Sequence, residues 1–339
     1  MNWIDFPDER IEVCGLPFFA ENTPDLYRLP KRAKGVVRDA VWNLATHCSG
    51  GRLRIATDAT DLTLRLDFPD ASTMRNMCAF GQRAVDVVVD GQSWNIICPN
   101  GKEEDNEFVV FKDVPAKLRQ ISLYLPLYAG LSVESVGANA EARIETPAPF
   151  AVDKPVVYYG SSITQGGCSS RPGLSYQAIL HRRLNADFVN LGFSGNGKGE
   201  PEVAELVAEI DASCYVMDFA QNLKTVEGLD EVYQPFLEIL RAKRPSVPII
   251  CVTPIHSDWE YASQAARDKL EGQREVIRTA VGARKQQGDE NITFVEGHSL
   301  ISPNDTFSFV DGTHPNDLGF MNMADGLEAP LREVLRLSG

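Results

Sequence analysis

Basic residues are in short supply: 33 Lys and Arg stand against 47 Asp and Glu, a formal net charge of −14. Nucleic acids and anionic membranes both need a basic footprint, so neither is expected as a partner. No window approaches the roughly 18 uncharged apolar residues of a membrane-spanning helix. The N-terminal run Met1-Asn2-Trp3-Ile4-Asp5-Phe6-Pro7-Asp8 is acidic early and has no apolar h-region. A secretory leader is therefore not expected, and a cytoplasmic location is. The seven cysteines are odd in number, widely spaced and without a C-x-x-C pair, which argues for buried thiols rather than a disulfide framework. No H-E-x-x-H or Cys/His cluster suggests zinc. No G-K-[ST] or G-x-G-x-x-G suggests a nucleotide. No metal and no cofactor are expected.

What is present divides into two patterns. Residues 1 to about 35 are irregular and punctuated by Pro7, Pro17, Pro24 and Pro30. From about 36 to 145 the period is two. Leu62, Leu64, Leu66 and Phe68 alternate with Thr63, Arg65 and Asp67, and Leu53 and Ile55 alternate with Arg52 and Arg54. Val85, Val87 and Val89 lead into Asp90-Gly91, a hairpin signal. This part shows no strong helical stripe. Short alternating strands with turns between them predict an all-β sandwich of jelly-roll type. Thr146-Pro147-Ala148-Pro149 has the composition of a linker, so a first domain is expected over 1–149 and a second over 150–339.

In the second part apolar runs alternate with helical spacing. The runs are Val156–Tyr159, Phe188–Leu191, Tyr215–Phe219, Ile249–Val252 and Ile292–Val295. Val203, Leu206, Val207 and Ile210 mark a helix, as do Val232, Phe236, Ile239 and Leu240. Further helices are predicted over about 262–287 and 317–337. The pattern implies an α/β domain with a five-stranded parallel sheet in a flavodoxin-like arrangement.

Candidate chemistry lies at the carboxyl ends of these strands, the edge where open parallel sheets place ligands. The first run breaks into Gly160-Ser161-Ser162-Ile163-Thr164-Gln165-Gly166, a turn that would present Ser162 as a nucleophile. His314, in Asp311-Gly312-Thr313-His314, is the candidate base, with Asp311 one turn upstream to orient it. Oxyanion donors could come from Gly195 after the second strand and from the Asn222 amide after the third. Taken one at a time, each motif is also ordinary turn or helix-cap chemistry.

Taken together, Ser, Gly, Asn and Asp-x-x-His at successive strand ends resemble the SGNH (GDSL-type) hydrolase superfamily of esterases, lipases and carbohydrate deacetylases. The resemblance covers about 153–339. It implies Ser162, Asp311 and His314 as catalytic residues, and the Ser162 N–H, Gly195 and Asn222 as the oxyanion hole. Ser161 stands where the family often has Asp. Upstream, Pro24-Asp25-Leu26-Tyr27-Arg28 is similar to the G-x-D-L-Y segment ahead of some such esterases, with Thr23 in the glycine's place. The resemblance implies a two-domain bacterial serine esterase acting on short-chain esters, acetyl above all. A carbohydrate O-deacetylase is the first expectation, and a lipase or thioesterase for longer acyl chains the alternative. The substrate is expected to be a small-molecule or oligosaccharide ester. The sandwich is left to bind carbohydrate, wall the cleft or mediate homo-oligomers.

Overall fold

The computed structural model describes residues 1–69, 73–100 and 106–337. The N-terminal region forms two antiparallel sheets. One orders the strands Asn2–Asp5, Ser132–Ala138, Leu62–Asp67 and Glu107–Phe111. The other orders Ile144–Glu145, Arg52–Thr57, Arg119–Tyr124, Val85–Val89 and Gln92–Ile97, with Glu12–Cys14 added beside Arg52–Thr57. The alternating side chains Leu53, Ile55, Leu62, Leu64, Val85, Val87 and Leu123 fill a shared core. Asp90 and Gly91 turn the hairpin with positive φ at both positions (49° and 78°), the geometry that matches the strand twist.

The alternation does not leave the opposite face wet. Arg52 is fully buried, ion-paired with Asp187 and 3.9 Å from the Phe188 ring. Arg54 pairs with Glu12 and lies 3.9 Å over Phe150. These arginines cover the junction with the second region. The Pro-rich stretch is pinned there too: Ala148 accepts from Arg54 and donates to Gln120.

The second region carries five parallel strands, ordered Ala186–Gly192, Val152–Gly160, Cys214–Asp218, Ile249–Val252 and Ile292–Val295. The second strand in sequence lies outside the first and the third inside it, so the chain reverses direction beside Val152–Gly160. A crevice opens at such a switch point. Helices Pro201–Glu209, Val226–Lys243, Gln264–Gln286 and Asp317–Leu335 match the expected stripes. Helix Tyr176–Leu184 was not foreseen. Seven of its nine side chains are buried, so it has no polar face to give a stripe.

The irregular N-terminus does not stay with the sandwich. Leu29, Ala33, Val37, Val41, Trp42 and Ala45 join the core that holds Val157, Val189 and Tyr215 of the parallel sheet. Within this stretch lies helix Asp39–Ala45, too short to register as a helical stripe. No disulfide joins the cysteines, and no helix among the described residues is long and apolar enough to cross a membrane.

Candidate active site

Strand Val152–Gly160 ends at the four-residue helix Ser162–Gln165. Ser161 caps that helix: it is buried and its hydroxyl accepts the Ile163 N–H at 3.2 Å. Ser162 is partly exposed, and its Oγ lies 2.8 Å from His314 Nε2. The neighbouring serines therefore have separate tasks, and only the second meets the imidazole.

The other ring nitrogen of His314, Nδ1, lies 2.9 Å from Asp311 Oδ2. Asp311 also accepts the N–H groups of Thr313 and His314, at 3.1 and 2.9 Å, so its carboxylate shapes the loop that carries the histidine. Asn76, from the N-terminal region, donates to Asp311 Oδ2 at 2.8 Å. Burial pushes the Asp311 carboxyl up, but the hydrogen bonds from His314 and Asn76 outweigh it and hold the group at about 2. Ser257 Oγ and the Asp258 N–H both reach Gly312 O at 2.8 Å and tie this loop to the one after the fourth strand.

Beneath the serine turn lies Asp218, fully buried at the end of the third strand. It accepts from Thr164 Oγ1 at 3.1 Å, Tyr176 Oη at 3.3 Å and Gln221 Nε2 at 3.0 Å. Burial lifts its carboxyl to about 6, against the pull of those hydrogen bonds. Gln165 and Asn190 complete the support. Gln165 Oε1 accepts the Ser194 N–H at 2.9 Å, and Asn190 Nδ2 donates to Thr164 O at 2.6 Å.

Gly195 and Asn222 are brought to the same edge as Ser162. Gly195 is exposed, and neither its N–H nor that of Ser162 has a hydrogen-bond partner among the described residues. A Cβ at Gly195 would meet nothing within 4 Å; its φ of +66° is what calls for glycine. Close approach is the constraint two residues later, where a Cβ on Gly197 would collide with Gly160 O. Asn222 Nδ2 is engaged: it donates to Phe193 O at 3.1 Å and Gly197 O at 3.2 Å. As placed, it latches the loop that carries Gly195.

Sequence reasoning missed the N-terminal contributions. Besides Asn76, Tyr128 Oη donates to Ser162 O at 3.2 Å. Arg38 holds the glycine loop through Asn196 Oδ1 and O, both at 2.9 Å. Fully buried Arg28, within the D-L-Y-R segment, donates to four backbone carbonyls, among them Asn190 O and Gly192 O. A charged residue inside that short motif was the available signal.

Two side-chain clusters bring ligand-type atoms within 4.8 Å of one another: Cys168, Asp311 and His314, and His256, Glu260 and His298. In the first, burial and then the charge of Asp311 push the Cys168 thiol up to about 12, away from the thiolate a metal would need. In the second, Glu260 is held by both ends of buried Arg274, at 2.9 and 3.1 Å, so a cation would sit beside a guanidinium.

A cavity of about 380 Å³ is lined by residues adjacent in sequence to Ser162, Asn222 and His314. These are Ile163, Gln221 and Thr313. Its lining as a whole is largely apolar.

The site geometry and the parallel sheet define an SGNH-type ester hydrolase. The chain belongs to the GDSL-like lipase/acylhydrolase family, whose model matches residues 153–332, and residues 1–144 match the GxDLY N-terminus of SGNH-hydrolase-type esterases. Similar folds span the whole chain. A Bacteroides ovatus ATCC 8483 protein assigned as a GDSL-like lipase is 29% identical over 99% of each chain, with a TM-score of 0.89. The salicylyl-acyltransferase SsfX3 of a tetracycline biosynthetic pathway is 20% identical over 99% of this chain and 98% of its own, at 0.84. An acetyl xylan esterase, Est2A, from the rumen bacterium Butyrivibrio proteoclasticus is 13% identical over 99% and 100%, at 0.66. The chain matches no curated protein in sequence.

Proposed function

We propose that the protein is a serine esterase of short-chain esters that works through an acyl-enzyme on Ser162. The observation that carries this is the chain of hydrogen bonds Ser162 Oγ, His314 Nε2, His314 Nδ1, Asp311 Oδ2, with its 2.8 and 2.9 Å links. His314 takes the hydroxyl proton as Ser162 Oγ bonds to the ester carbonyl carbon. The tetrahedral oxyanion is received by the Ser162 and Gly195 N–H groups and by Asn222. Collapse breaks the bond to the alkoxy oxygen, and His314 hands its proton to the departing alcohol. Water then attacks the acyl-enzyme, giving one proton to His314 and its oxygen to the acid, and Ser162 is restored. Asp311, ionised far into acid, stabilises the imidazolium throughout.

Two substrate readings follow. Carbohydrate O-deacetylation has the support of acetyl xylan and cellulosic-ligand esterases among the fold neighbours. A larger acyl group is favoured by the cavity that Ile163 helps to line, which acetyl would leave mostly empty. Hydrolysis of p-nitrophenyl acetate, butyrate and octanoate separates them, with Ser162→Ala as control. Acetate cleavage that falls with chain length supports the deacetylase. A preference for the longer esters moves the assignment to larger acyl groups. Turnover surviving in Ser162→Ala removes the serine mechanism altogether.

A further inference from the structure

The cavity that Ile163, Gln221 and Thr313 help to line combines two features that acetyl does not use. Its walls are mainly apolar, formed by Ile163, Ile255, Trp259 and Leu270. Lys269 also lines it, half-buried on helix Gln264–Gln286. Lys269 has no hydrogen-bond or ion-pair partner among the described residues. The acids around it are committed elsewhere. Glu260 is bound to Arg274, Glu271 to Arg274 and Arg278, and Asp268 accepts from Gln264. Burial pulls the Lys269 ammonium down from its ordinary value, so an anion placed beside it would recover part of the lost solvation.

The apolar walls indicate which half of an ester belongs there. A sugar alcohol would set most of its hydroxyls against apolar wall, with Gln221, His256, Ser257 and Thr313 as the neutral polar groups of the lining. The methylene body of an acyl group meets no such objection.

We propose that this cavity is the acyl site and that it takes an acyl group with an apolar body and an anionic far end, which Lys269 receives. The inference rests on the Ser162 reading and gives its larger-acyl branch a chemical class: ω-carboxyacyl or similarly terminated acids. Trp259, which lines the cavity and is more than half exposed, covers the acyl body.

The test compares mono-p-nitrophenyl adipate with its methyl ester, which has the same skeleton without the charge. Wild-type kcat/KM should favour the acid by about tenfold or more, the effect of one charge-assisted hydrogen bond. In Lys269→Met that ratio should fall to about one, and in Lys269→Arg most of it should return. A wild-type ratio at or below one, or a ratio unchanged in Lys269→Met, overturns the inference. If p-nitrophenyl acetate is cleaved in a Ser162-dependent way while neither adipate is, the acyl site fails and the Ser162 reading stands. If Ser162→Ala still cleaves all three esters, it is the Ser162 reading that fails.

Discussion

Ser161 and Ser162 share a chemistry and differ in their neighbours. The first spends its hydroxyl on the helix cap, while the second faces His314 Nε2. Asn222 is the residue where position and role pull apart. Its amide nitrogen now holds Phe193 O and Gly197 O, and the proposed reaction asks it to share one proton with the oxyanion. Asn222→Ala removes both the donor and the latch on the Gly195 loop. Turnover of p-nitrophenyl acetate should fall by about a hundred- to a thousand-fold, the cost of losing one oxyanion donor. Steady-state kinetics check this, and a rate near wild type would remove Asn222 from the hole. The hydrogen-bonded Ser162, His314 and Asp311 were legible because each sits in a short local motif beside a strand end or a helix start. Lys269 was not, because its meaning depends on which carboxylates are already taken.

At the scale of elements, the five parallel strands were legible as continuous apolar runs, because both faces of that sheet are covered. The sandwich strands were legible by alternation, but the environment of their polar face was not. Arg52 and Arg54 occupy the positions of solvent-facing residues, yet the junction with the parallel region buries them. Helix Tyr176–Leu184 escaped for the opposite reason: almost every position is buried, so the 3.6-residue contrast is lost. The functional elements are the turns. Short segments after the strands Val152–Gly160, Ala186–Gly192 and Cys214–Asp218 lie at the same edge of the sheet, cross-braced by Gln165, Asn190 and Asp218.

At the scale of the whole molecule, the N-terminal region is part of the site. Asn76 reaches Asp311 across 235 positions of sequence, Tyr128 holds the Ser162 carbonyl, and Arg38 braces the glycine loop. No sequence pattern announces such contacts, because they depend on how the two regions dock. We propose Asn76 as a positioning residue that acts through Asp311. In Asn76→Ala the Asp311 pKa should rise from about 2 toward its ordinary 3.8, read by NMR titration of the carboxyl carbon. The kcat/KM should fall by about tenfold, as expected for a lost hydrogen bond to a charged group. An unmoved Asp311 pKa would show that Asn76 acts only as a surface contact. The central claim remains the covalent step, and the most direct measurement is to trap it. Wild-type protein quenched in acid during turnover of p-nitrophenyl acetate is digested and its peptides weighed by mass spectrometry. The account predicts an acetyl group on Ser162, absent when Ser162→Ala is treated alike. Acetyl on Ser161 or another residue, or sustained turnover in Ser162→Ala, would contradict it.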